Sequence, residues 1–113
     1  MSSVFEEMAG LDRLIHEPAR LSVLTALSYC EKADFLFLLR LTGLSAGNLS
    51  VHLSKLEEAG LIIIDKQIVA KRSNTQVAIT GEGRQAVQQH WKKLEELRNA
   101  AGEWRPGENK EQT

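Results

Sequence analysis

The sequence is poor in cysteine and in long apolar runs, and each shortage excludes a class of protein. The single cysteine, Cys30, has no internal partner, which excludes an internal disulfide. Apolar stretches such as Leu61 to Ile64 are much too short to span a bilayer. Residues 1–8 lack the basic region and apolar block of a signal peptide. We therefore expect a cytoplasmic protein that has no membrane segment.

Catalytic and metal-binding patterns are also missing. The histidines His16, His52 and His90 are scattered, and no pair has the spacing of metal ligands. There is no nucleophile elbow and no phosphate-binding loop. We expect no metal, no cofactor and no enzymatic activity. Cys30 is expected to be a small, partly buried apolar residue, with a redox-sensing role as the alternative.

The chain lacks the net positive charge that is typical of nucleic-acid-binding proteins. Its 113 residues carry a formal charge of -1, with 42% hydrophobic and 26% charged residues, as in an ordinary globular domain. The charges are unevenly distributed, however. Residues 1–17 carry -3, residues 103–113 carry -1, and the residues between them carry +3. This distribution fits a nucleic-acid-binding centre between acidic ends.

Apolar spacing and capping residues predict a mainly helical chain that contains one hairpin. Five helices are predicted, over residues 3–17, 18–29, 35–42, 46–59 and 81–101. Two runs rich in Ile and Val predict hairpin strands over 61–69 and 75–80, joined by a polar link at 70–74. Residues 1–102 are expected to form one domain and 103–113 a flexible polar tail. Four helices, a hairpin and a last helix describe a winged helix-turn-helix.

The predicted fourth helix has two very different faces. At about 100° per residue, Leu49, Leu53 and Leu56 lie along one apolar line. The opposite face is small, polar and almost uncharged, which suits entry into the major groove, about 12 Å wide. We predict that its DNA-contacting residues are Ser45, Gly47, Asn48, Ser50, Val51, Ser54 and Lys55. The alternative is a solvated surface helix that is short of charge.

These side chains differ in the contacts that they can make. Asn48 is suited to pairing with adenine, Ser50 to donating or accepting at base edges, and Val51 to touching a thymine methyl group. Lys55, further along the helix, is better placed for a phosphate. His52 lies at the edge of the apolar line. It is either a packed, hydrogen-bonded histidine or a phosphate contact, and the sequence leaves both open.

The hairpin carries a basic tip that predicts a second DNA contact. Lys66, Lys71 and Arg72 provide three positive charges, and no acidic residue lies between Lys66 and residue 80. Ser73 and Asn74 follow Arg72, which is suited to a narrow minor groove. The predicted wing contacts are these five residues. The alternative is an ordinary solvated loop tip.

The terminal helices carry more apolar surface than one small core requires. Their apolar stripes predict a homodimer interface that consists of Phe5, Met8, Leu11, Ile15, Trp91, Leu94 and Leu97. Pairing across a two-fold axis would set two recognition helices about 34 Å apart, one turn of DNA. The alternative is that both helices wrap only their own domain.

Two runs of this sequence resemble a known family. Residues 42–53, Thr-Gly-Leu-Ser-Ala-Gly-Asn-Leu-Ser-Val-His-Leu, and 55–62, Lys-Leu-Glu-Glu-Ala-Gly-Leu-Ile, are similar to the single-domain winged-helix regulators related to the MarR and ArsR groups. The resemblance covers about residues 11–95. It implies a prokaryotic homodimer on a partly palindromic operator, with the first and last helices at the interface. Residues 35–40 lack the Cys-x-Cys of metal-sensing ArsR proteins, so metal sensing is not expected.

The expected function is that of a sequence-specific transcriptional regulator that binds double-stranded DNA. A repressor acting by occlusion is favoured, and the sequence identifies no small-molecule effector. The alternative is a winged-helix module that binds protein rather than DNA, which the near-neutral charge supports.

Overall fold

A computed structural model describes residues 3–107 of the chain, and within them the backbone forms five helices and three strands. In chain order these are α1 (Val4–Ala9), α2 (Pro18–Cys30), β1 (Lys32–Asp34), α3 (Phe35–Thr42), α4 (Ala46–Glu58), β2 (Ile62–Val69), β3 (Arg72–Ile79) and α5 (Gly81–Glu103). The predicted winged helix is confirmed, with α3 and α4 as the helix-turn-helix and β2–β3 as the wing.

The sheet has one strand more than the predicted hairpin. Its three antiparallel strands lie in the order β1-β3-β2. Ala33 of β1 pairs with Val77, and Ile64 of β2 pairs with the same residue on its other side. The prediction of two strands was therefore incomplete. A strand of three residues is too short to show an alternating pattern, and only the β3 edge makes it a strand.

The first helix is shorter than the sequence predicted. Helix α1 ends at Ala9, and the Gly10 amide donates to the Glu6 carbonyl at 3.0 Å. A separate turn then begins, in which the Asp12 carboxylate accepts from the Leu14 amide at 2.9 Å. The predicted helix over 3–17 was wrong because this aspartate offers the backbone a competing partner. We call residues 11–17 the joining segment.

The last helix is longer than predicted and continues to Glu103 rather than ending near residue 101. Beyond it, the Trp104 ring packs edge-on against Phe5, with ring centroids 5.2 Å apart. Glu103, which was predicted to begin the polar tail, is therefore the last residue of α5. Residues 108–113 lie outside the described residues, so its flexibility stays a prediction.

The wing turn is tighter than the predicted polar link at 70–74. Only Ala70 and Lys71 connect the strands, with φ of 51° and 65°. Two-residue hairpins favour this positive-φ geometry because it matches the twist of the strands. The link was therefore predicted too long, and Arg72, Ser73 and Asn74 belong to β3.

One core lies between the helices and the sheet. Leu24 and Leu27 of α2 pack with Leu53 of α4 and with Val77 of β3, and all are at most 2% exposed. Cys30, expected to be partly buried, is exposed at the last position of α2. Within residues 3–107, no helix is long and apolar enough to cross a membrane.

Helix α5 is seated on the wing by a close backbone approach. Thr80 caps it, and Gly83 in its first turn is buried. A Cβ atom at Gly83 would overlap the carbonyl group of Leu61, at the start of the wing. The absence of a side chain at this position therefore sets the distance between α5 and the wing.

Gly83→Ala should destabilise the fold by about 1–3 kcal/mol, because backbone atoms have to shift to accept the new methyl group. Urea unfolding followed by circular dichroism measures the change. Gly81→Ala, two residues earlier in open space, is the matched control and should be neutral or slightly stabilising. Equal stability of the two variants would contradict the close packing.

Candidate nucleic-acid interface

Helix α4 turns one face into the core and the other into solvent. Leu49, Leu53 and Leu56 are 0%, 2% and 0% exposed, which confirms the predicted apolar line. The predicted contact residues Ser45, Gly47, Asn48, Ser50, Val51, Ser54 and Lys55 are all exposed. Val51 keeps 54% of its surface accessible although it is apolar. The structure thus brings this set together on one accessible helix face.

The start of α4 is shaped by two local features. Gly43 closes α3 in the left-handed region, with a φ of 70°. Ser45 then caps α4, and its hydroxyl accepts from the Asn48 amide at 3.1 Å. The Ser45 side chain is therefore already engaged.

The base of the wing lies next to the polar face of α4. A groove of about 260 Å³ separates them, and it is lined by Phe35, Ser50, Leu53, Ser54, Ile64, Lys66 and Thr75. Lys66 is paired with Thr75 in the sheet, so both lie on the face that is turned towards α4. The ammonium group of Lys66 thus belongs to the same surface as the two serines. The sequence alone did not show this proximity.

The remaining predicted contact residues of the wing lie on different faces of its sheet. Because strand side chains alternate, Arg72 and Asn74 lie on the face opposite that of Lys66, whereas Ser73 shares its face. Lys71 lies in the turn itself. The side-chain oxygen Oδ1 of Asn74 accepts from the side-chain nitrogen Nε2 of Gln76 at 3.4 Å. Positive charge is therefore present on both faces of the wing and at its tip.

His52 is a packed histidine, which decides between the two interpretations that the sequence left open. Its Nδ1 lies 3.0 Å from Nη1 of Arg20 and 3.3 Å from Oε2 of Glu17. Both partners belong to the start of α2 or its cap. The ring therefore joins α4 to α2.

Arg20 is the centre of a polar cluster behind α4. It is only 8% exposed, and it donates from Nε to the Leu14 carbonyl at 2.6 Å and from Nη2 to the Arg13 carbonyl at 3.2 Å. Glu17 caps α2 by accepting from the amides of Ala19 and Arg20. The cluster fixes α4, α2 and the joining segment relative to one another.

The carboxylate of Glu17 is held in its charged form. Burial raises its pKa, but the backbone amides of Ala19 and Arg20 and the charges of His52 and Arg20 together lower it below the ordinary value. An ionised Glu17 can therefore serve both as a helix cap and as a partner for the cations around it.

The predicted dimer residues have different degrees of burial. Phe5, Met8 and Trp91 are 45%, 43% and 47% exposed, whereas Ile15 and Leu97 are buried within the protomer. Leu11 and Leu94 are intermediate. Ile15 and Leu97 thus offer little surface to a partner. Trp104, absent from the predicted set, lies against Phe5.

A family model for the winged helix DNA-binding domain matches residues 19–98, most of the chain. The chain belongs to this family. The matched range contains α2, the helix-turn-helix, the wing and most of α5. The predicted resemblance to winged-helix regulators is confirmed, and the protein contains a DNA-binding domain.

Individual proteins are similar to this chain in sequence or in structure. An uncharacterized protein of Methanocaldococcus jannaschii is 39% identical over 70 residues, which are 62% of this chain and 73% of the relative. The structure of a transcriptional regulator homologue from Pyrococcus horikoshii OT3 superposes with a TM-score of 0.78 at 26% identity, covering 87% of this chain and 96% of that one. A MarR-family regulator from Silicibacter pomeroyi shares the fold, with a TM-score of 0.60 at 22% identity. The superposition covers 93% of this chain and 66% of that one.

Arg20→Met should destabilise this winged helix domain by about 2–4 kcal/mol, because the substitution leaves two carbonyl oxygens and the Glu17 carboxylate without their cation. Urea unfolding measures the loss. Arg13→Met removes the same charge from an exposed side chain and should change stability by less than about 0.5 kcal/mol. If the two variants were equally stable, the buried cluster would not have the role assigned to it.

Proposed function

We propose that the protein is a sequence-specific transcriptional regulator of the cytoplasm that binds a partly palindromic operator as a homodimer and represses by occluding it. The observation that carries this proposal is the exposed face of α4. Gly47, Asn48, Ser50 and Val51 are accessible and small, and Lys66 of the wing shares a groove with Ser50 and Ser54 of the same helix. Small side chains allow close approach to base edges, and the lysine supplies a phosphate contact.

The homodimer is supported by the weak attachment of α1. None of the described residues Val4–Ala9 is buried. A helix of six residues is too short to be stable alone, yet it carries Phe5 and Met8 with more than two fifths of their surfaces exposed. It contacts α5 through the Glu7–Lys93 ion pair at 2.8 Å, and it contacts Trp104, the residue after α5, through the ring of Phe5. A second copy would cover this apolar surface.

A protein-binding module is the second candidate. It is favoured by the exposed apolar side chains of α3, since Leu36, Phe37 and Leu41 are 61%, 46% and 51% exposed. The two functions differ in their response to salt. Operator binding weakens steeply as salt rises, because phosphate contacts release counterions. Binding through the apolar α3 surface has no such dependence.

Selection of bound fragments from random duplex DNA tests the proposed function. We expect an inverted repeat whose half-sites are about 10 base pairs apart, centre to centre. On the selected site, Lys66→Ala should weaken binding to all sequences and lower the salt slope by about one. Asn48→Ala should instead reduce discrimination at one base position by about 1–3 kcal/mol. Fluorescence anisotropy at several salt concentrations measures both effects.

Lys32→Ala is the matched control for the lysine variant. Lys32 is an exposed lysine on β1 and lines the outer face of the sheet, away from α4. Its removal should leave the salt slope unchanged. Identical slopes for the two lysine variants, or no enrichment of any sequence, would contradict the proposed interface.

The double variant Phe5→Ser and Met8→Ser should shift the protein from dimer to monomer, because it removes the exposed apolar surface of α1. Sedimentation velocity at several protein concentrations measures the shift. Ile63→Ser is the control, since Ile63 is 57% exposed on the outer face of the sheet. A wild-type protein that sediments as a monomer would refute the dimer.

A further inference from the structure

Two histidines from distant parts of the chain face each other beside α5. Nδ1 of His16, in the joining segment, lies 3.1 Å from Nε2 of His90, and the ring centroids are 5.2 Å apart. His90 is only 6% exposed. An imidazole pair forms this bond when one facing nitrogen carries a proton and the other a lone pair. When both rings are protonated, both nitrogens are donors and the bond is lost.

The charged groups around this pair come from three elements. The joining segment contributes Asp12 and Glu17, α1 contributes Glu7, and α5 contributes Lys93, three residues after His90. Most of these charges are already engaged. Glu7 and Lys93 pair with each other at 2.8 Å, and Glu17 caps α2. Asp12 accepts from the Leu14 amide and is the acid that favours a charge on His90.

Arg20 of α2 adds a further cation on the far side of the joining segment. Its guanidinium donates to the carbonyl oxygens of Arg13 and Leu14 and lies 3.0 Å from Nδ1 of His52. Glu17 directly follows His16 in the chain, and its carboxylate lies 3.3 Å from Nδ1 of His52. One short segment therefore contacts α5 through His16 and the recognition helix through Glu17. A movement of His16 away from α5 would therefore act on a residue whose carboxylate contacts His52 of α4.

We propose that the His16–His90 pair is a pH-sensitive link, and that protonation of both rings releases the joining segment from α5 and lowers the affinity of α4 for DNA. The effect on DNA rests on the proposed function. The link itself is a property of the fold and does not depend on an operator.

The direction of the pH effect follows from the burial of His90. Burial lowers the pKa of His90, and the charge of His16 lowers it further, against the opposing effect of Asp12. The linked state therefore binds fewer protons than the released state. Its stabilisation is complete above the ordinary histidine pKa of 6.5 and is lost as the pH falls from there through the lowered pKa.

The test compares the wild type with the double variant His16→Asn and His90→Gln. The asparagine amide takes the position of Nδ1 and the glutamine amide that of Nε2, so the variant retains a hydrogen bond that does not titrate. Affinity for the selected operator is measured at pH 7.5 and 5.5 at constant ionic strength. We expect the wild-type Kd to rise about tenfold between the two pH values and the variant Kd to rise less than about threefold.

Equal pH dependence of the two proteins would overturn the proposal, because other titrating groups, including His52, are present in both. A wild-type Kd that does not rise in acid would also overturn it. If the double variant does not fold, His16→Asn alone serves the same purpose, since His16 is exposed and His90 stays in place.

A second measurement separates the link from the proposed function. Imidazole proton shifts report the titration of each histidine, and amide shifts of α4 report its displacement. We expect the two rings to titrate as a coupled pair in the wild type, with α4 amide shifts that are absent from the double variant. Independent titration of the two rings would overturn the link. Coupled titration in a protein that binds no DNA at pH 7.5 would retain the link and refute the regulator function instead.

Discussion

The burial of one line of leucines on α4 is the interaction on which the interface depends. Leu49, Leu53 and Leu56 are almost completely removed from water, and each contributes about 1.5–3 kcal/mol. A rotation of α4 by one residue, about 100°, would exchange a leucine for a polar side chain such as Asn48 or Ser50. That exchange would bury an unpaired polar group as well as expose a leucine. The accessible face of the helix is therefore determined by the core behind it.

The wing depends on the same core, and it supplies positive charge, of which the polar face of α4 carries only Lys55. Leu61 and Ile62, where the chain enters β2, are buried, and Gly83 allows α5 to pack against the Leu61 carbonyl. The wing then presents Lys66 to the polar face of α4 and carries Arg72 near its turn. A chain of net charge -1 thus carries exposed positive charge beside the polar face of α4. The small side chains lie on α4, whereas the cations lie on the wing and at Lys55 of α4.

The polar cluster behind α4 adds directional constraints to this apolar packing. Apolar burial resists rotation of the helix but is tolerant of small shifts, whereas hydrogen bonds are restricted in both distance and angle. The buried guanidinium of Arg20 contacts two backbone carbonyls and the His52 ring at the same time. The joining segment is therefore fixed to α2 and α4 at one end and to α5 through His16 at the other.

The helix-turn-helix was predictable from the sequence, because its signals are local. Apolar periodicity and capping residues predicted the bounds of α3 and the start of α4, and in the structure Asp34 and Ser45 cap these two helices. The small polar face of α4 was readable for the same reason. Other features depend on contacts between segments. Pairing with β3 makes β1 a strand, and Arg20 holds the His52 ring inward. The register of the wing places Lys66 and Arg72 on opposite faces. These features arise from pairing between residues that are far apart in the chain, and no pattern within one segment specifies a partner in another.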